Sequence, residues 1–204
     1  MKSLRVSGTP AITGFSFGAM FFLGLGVAIV GAAARNAGIP ADQVGILLTF
    51  QHLGFFLSVA FVGALADRLS KSVVLAGGSV ILALGFAGFY HWDPLWLNVA
   101  FMVLVGIGIG TYEGVTDALL LDLHPQRKSF FINLNHFFVT LGSLVITVYL
   151  IFLQMAWRDS MIQAATVVLL LSLLFAIARD SRGVTSRATT PGSAVRLRRS
   201  SPVT

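Results

Sequence analysis

Two acids stand four residues apart inside an apolar run, Glu113 and Asp117 in Gly106-Ile-Gly108-Ile-Gly110-Thr-Tyr112-Glu113-Gly114-Val-Thr-Asp117. Helical periodicity places them on one face, where they either repel or share protons. Against hydrocarbon each carboxylate would cost several kcal/mol, so this face should meet a packed interior or a water-filled cavity. Further along, Asn133-Leu-Asn135-His136 offers amides and an imidazole, while Gln51-His52 lies in an earlier apolar run. Acids and amides can bridge adjacent hydroxyl groups of a small solute, and rings such as Tyr112, Phe137 and Phe15 can cover its apolar faces. Glu113 has the properties of a proton carrier, neutral when dehydrated and ionised when water reaches it. The bland alternative is that Asn133, His136 and His52 only hold helices together through hydrogen bonds.

The elements that carry these residues follow from composition. The chain has 204 residues, 56% hydrophobic and 11% charged, with a mean hydropathy of +0.86, outside the range of a soluble domain. The length allows about six spans of roughly 20 residues. Breaks at Arg35-Asn-Ala-Gly38-Ile-Pro40, Asp67-Arg68-Leu-Ser-Lys71, His91-Trp-Asp-Pro94 and His124-Pro-Gln-Arg127-Lys128 predict spans over 11–34, 43–66, 72–90, 95–121, 129–153 and 160–177. Asp42 is the expected N-cap of the second. Gly106, Gly110 and Gly114 form a small-residue stripe that lets another helix approach closely. The fold class is therefore an all-α membrane protein of six transmembrane helices. Its parts are a short N-terminus over 1–10, a six-helix bundle over 11–178 and a disordered basic tail over 179–204, rich in Ser, Thr, Pro and Arg.

Charge sets the expected orientation. Lys2, Arg5, Arg68, Lys71, Arg127, Lys128 and the tail arginines fall on one side, against Arg35 and Arg158 on the other. This bias predicts that both termini are cytoplasmic in a multi-pass cell membrane protein, with a bacterial inner membrane as its setting. The net charge of +6 is thus a topology signal, and basic residues interleaved with aromatics for nucleic acid are absent. There is no cysteine, phosphate loop, nucleophile elbow or metal-ligand spacing. No enzyme activity, cofactor or metal is expected. His52, His136 and Glu113 come from three spans without a ligand signature.

The stretch Gly63-Ala-Leu65-Ala-Asp67-Arg68-Leu-Ser70-Lys71 resembles the loop between the second and third helices of the major facilitator superfamily, written G-x-L-x-D-R-x-G-R-[KR]. Ser70 replaces its second glycine and Lys71 its arginine. Tyr112-Glu113-Gly114, Leu121-Asp122-Leu-His124-Pro125 and Asn133-Leu-Asn135-His136-Phe-Phe138 are similar to the fucose permease and glucose/galactose transporter branch. There an acid in helix four and an asparagine in helix five handle sugar or protons, roles the resemblance carries to Glu113 and Asn133. It carries a gating role to Gly63, Asp67, Arg68 and Lys71. Asp117 stands where that branch often has an amide, and Gly142-Ser143 lacks the proline that usually closes the helix-five motif.

The resemblance covers about 12–177, the N-terminal six-helix half. It implies a half-size secondary transporter for a small polar solute, sugar-like, driven by protons. A second six-helix bundle, most simply another copy, would supply the missing wall of the cavity and let access alternate. In such a homodimer Asp67 would approach the positive helix end near Gln126 to Phe130 of the other copy. Two alternatives belong to other classes. One is a truncated, non-transporting remnant or partner subunit; the other is a membrane scaffold whose arginine tail binds anionic lipid.

Overall fold

Prolines place three of the six helix starts. Pro10 sits in the first turn of α1 (Thr9–Ala33), where its missing N–H is no loss. Pro40 and Pro94 are the N-cap residues of α2 (Ala41–Arg68) and α4 (Leu95–Leu123). The expected cap Asp42 instead lies inside the first turn of α2, because Pro40 already holds the extended conformation that an N-cap needs. There it still favours the positive helix end. α3 (Lys71–Gly88) is capped by Ser70, whose Oγ accepts from the Val73 N–H at 3.4 Å. α5 (Lys128–Phe152) and α6 (Trp157–Ile177) complete the chain. The computed structural model describes residues 8–152 and 157–178; the tail and the first residues, with Lys2 and Arg5, lie outside them.

All six helices are long and apolar enough to cross a membrane. α1 and α4 cross at the centre; α2 packs on α4, α5 on α1, and α3 and α6 pack together behind them. α2 and α5 bury the smallest share of their side chains and flank the bundle. The expected glycine stripe of α4 packs on α2. A Cβ on Gly106 would overlap the Gln51 carbonyl oxygen, and one on Gly110 would lie 2.7 Å from that of Phe55. Gly24 and Gly142 do the same for α1 and α5, against the carbonyls of Val139 and Phe21 respectively. Such approach needs residues without side chains, since lipid offers no hydrophobic drive for helices to associate.

Polar side chains then bridge the close helices. Gln51 donates to the Gly26 carbonyl at 2.7 Å, Ser143 to that of Gly24 at 2.8 Å and Asn36 to that of Leu150 at 2.8 Å. Tyr90, with φ of +48°, turns the chain between α3 and α4, and its N–H donates to Asn98 Oδ1 at 2.7 Å. Arg68, Lys71, Arg127 and Lys128 gather at one end of the bundle and Arg35 and Arg158 at the other, as the helix order requires.

Candidate functional site: the α4–α5 acid face

Helical spacing puts Glu113 and Asp117 on a partly exposed stripe of α4, each directly after a buried pair, Thr111–Tyr112 and Val115–Thr116. Across from it, α5 presents Asn135 and His136. Asp117 has both oxygens engaged: Oδ1 accepts from Asn135 Nδ2 at 2.8 Å, and Oδ2 lies 3.1 Å from His136 Nε2. Asn135 also donates to Thr116 Oγ1 at 3.1 Å, and the Thr116 hydroxyl donates to the Tyr112 carbonyl. The Asn135 side chain is fully buried, and its Oδ1 has no partner among the described residues.

Glu113, one turn nearer the middle of the helix, forms no hydrogen bond or ion pair among the described residues. His136 and Asp117 are its electrostatic neighbours. One acid is therefore fixed by the neighbouring helix, and the other is left available to a proton, water or solute.

The other expected site residues are distributed more widely. Asn133 is exposed and lies two positions from Asn135, about 200° around the helix, so only one of the two amides can face α4. The one that does is Asn135. Tyr112 is fully buried with its hydroxyl 2.6 Å from Ser79 Oγ on α3, behind the acid stripe rather than beside it. His52 is exposed on α2, its Nδ1 2.7 Å from the Leu48 carbonyl of its own helix. Phe137 is exposed; Phe15 packs edge-on against Phe175 of α6, at 6.0 Å, and so turns away from the acids. Among the described residues no group of three His, Asp or Glu side chains is placed so as to hold a metal ion.

The link between α2 and α3 is tied to the end of α4. Lys71 Nζ pairs with Asp122 and also reaches the Ala118 carbonyl at 3.4 Å. Gly63, Asp67 and Arg68 are exposed along the last turns of α2, and neither Asp67 nor Arg68 forms an ion pair among the described residues. His124, just past α4, lies with Nε2 2.8 Å from Thr13 Oγ1, and its ring is stacked on Phe131 at 3.5 Å. Thr13 donates its hydroxyl to the Thr9 carbonyl, so the Nε2–H tautomer fits, with His124 donating. Burial holds the imidazole below its ordinary pKa, which keeps the ring neutral for stacking.

Lys71–Asp122 and His124–Thr13 were not legible as contacts in the sequence, where Lys71, Asp122 and His124 lie in interfacial turns and Thr13 in the first span. Their pairing depends on which helix ends the bundle brings together. Asn135 was visible within the polar cluster, but nothing in its spacing set it above Asn133.

A family model for the Major Facilitator Superfamily matches residues 11–203. The chain belongs to that superfamily. It forms a six-helix half of the superfamily fold, and is a multi-pass membrane protein. It is similar to YwtG of Bacillus subtilis, named for metabolite transport, at 26% identity over 146 residues, 69% of this chain and 32% of YwtG. It is similar to the niacin transporter NiaP of Acinetobacter baylyi at 32% identity over 107 residues, 52% of this chain and 24% of NiaP. The gentisate transporter of Corynebacterium glutamicum shares 25% identity over 97 residues, 47% of this chain and 22% of the relative. The chain thus spans about a third or less of the length of these relatives.

Proposed function

We propose that this superfamily member is one half of a secondary transporter that moves a small polar, sugar-like solute together with protons. A second six-helix bundle, most simply another copy, closes the cavity and rocks against the first. The observation that carries this reading is the unequal acid pair, with Asp117 held by Asn135 and His136 while Glu113, one turn away, has no partner among the described residues. A carboxylate poised between a dry and a wet setting can load and release a proton as access alternates.

The relatives named for niacin and gentisate carry carboxylic acids in their names, yet an organic anion fits this face poorly. Arg35, Arg68, Lys71, Arg127, Lys128 and Arg158, the cations among the described residues, all lie at helix ends, while two acids occupy the stripe. Such an anion would meet like charge there whenever Glu113 is ionised. A hydroxylated neutral solute would find a free acceptor on Glu113, since Asp117 and His136 Nε2 are engaged with one another and with Asn135.

The basic end of the bundle, with Arg68, Lys71, Arg127 and Lys128, is the cytoplasmic one in this reading, which puts both termini in the cytoplasm of a bacterial inner-membrane protein. Reconstituted vesicles test the proposal. Glu113→Gln should abolish uphill accumulation of the solute while sparing exchange of solute for solute. Unchanged concentrative uptake in that variant would overturn it.

A further inference from the structure

Away from the acid face, a groove of about 670 Å³ opens where α2 and α3 diverge over α4. Its volume is within the roughly 300–1,000 Å³ of small-molecule sites. The floor is Ser58 and Thr111; the Thr111 hydroxyl donates to the Ile107 carbonyl at 2.8 Å and accepts from the Ser58 hydroxyl at 3.0 Å. Phe61, Leu65 and Val73 along its walls are 70%, 45% and 51% exposed. With both hydroxyl protons used, a polar solute would find no free hydroxyl donor inside among the described residues.

A charge stands at the mouth: Arg68, in the last turn of α2, the one ionisable residue that lines the groove. Lys71, three residues on, is neutralised by Asp122, whereas Arg68 has no acid partner among the described residues. Arg68 shares the basic end of the bundle with Arg127 and Lys128, so an anion arriving there meets net positive charge. An apolar trough at membrane depth with an unpaired guanidinium at its interfacial end has the two-part chemistry of a phospholipid.

We propose that this groove binds an anionic phospholipid, with Arg68 holding the phosphate and an acyl chain lying along Phe61, Leu65 and Val73 towards Gly77. Gly77 offers a clean test because a Cβ there would meet nothing within 4 Å, whereas one on neighbouring Gly78 would strike Thr111. Filling position 77 therefore blocks the groove without prising α3 from α4.

The experiment titrates phosphatidylglycerol and phosphatidylethanolamine of identical acyl chains into the delipidated full chain, with bound lipid and oligomeric mass read by native mass spectrometry. The wild type should retain one phosphatidylglycerol in preference to phosphatidylethanolamine. Arg68→Gln should lower phosphatidylglycerol affinity about tenfold, the loss of one hydrogen bond to a charged group, and so remove the preference. Gly77→Leu should weaken both lipids alike, while Gly31→Leu, in open space on α1, should change neither. If Gly77→Leu fails to fold, Val73→Trp blocks the same trough from its exposed wall. Wild-type binding in both Arg68→Gln and the blocked variant overturns the proposal and assigns lipid binding to the tail arginines. A change of oligomeric mass on blocking also overturns it, because the occupant is then a protein surface.

Discussion

At the residue scale the decisive feature is the difference between two acids of similar chemistry. Asp117 is bound on both oxygens, and Asn135 pays for this with a buried carbonyl that has no partner among the described residues. The arrangement is worth keeping only if Asp117 must be held. Removing the amide by Asn135→Ala should therefore cost stability of about 0.6 kcal/mol, the average for interhelical hydrogen bonds in membranes, and no more than about 1.7. Thermal unfolding in detergent measures it, with Asn133→Ala as the comparison. Asn133 is exposed and should be neutral; the opposite ranking would return the role to Asn133. The common level of Asp117 and His136 followed from counting residues along two spans, because rise per residue is nearly constant. Which asparagine faced α4 did not follow, because rotation of α5 is set by its glycine contact with α1, a tertiary fact.

At the element scale the six spans are legible because a bilayer demands long apolar helices and the breaks carry proline, glycine and charge. The starts moved by a few residues where proline took over the cap, as at Pro40 ahead of Asp42. The stripe of Gly106 and Gly110 announced a close helix neighbour without naming it, since small residues specify distance and not identity. That neighbour is α2. The same physics separates glycines by sign. Gly142→Ala would drive a Cβ into the Phe21 backbone, which no rotamer change relieves, and should destabilise by about 1–3 kcal/mol. Gly31→Ala meets nothing within 4 Å and should stabilise by about 0.5–1 kcal/mol, as alanine does over glycine in a helix. Melting temperatures of the two variants should move in opposite directions. A shared direction would mean that the α1–α5 crossing is looser than the packing implies.

At the scale of the whole molecule, the bundle has two flanking helices, α2 and α5, that are each engaged along one side only. Between them the acid stripe faces outward, so a transport cavity needs a second bundle laid against the same face. In the proposed homodimer a two-fold partner would bring Asp67, exposed and without an ion pair among the described residues, towards the N-terminal end of α5 in the other copy. There the helix dipole with Arg127 and Lys128 would attract it. The chain carries no native cysteine, which makes site-specific crosslinking direct. One population of chains would bear Asp67→Cys and the other Gln126→Cys, with tags of different size, and the two would be expressed together. Because each chain has a single thiol, a crosslinked product carrying both tags forms only when different copies meet. We expect that product in the membrane, at a yield that changes when solute biases the conformation. Its absence under every condition, together with a monomeric mass in mild detergent, would sink the two-fold arrangement and leave the acid face to be closed by a bundle of different sequence.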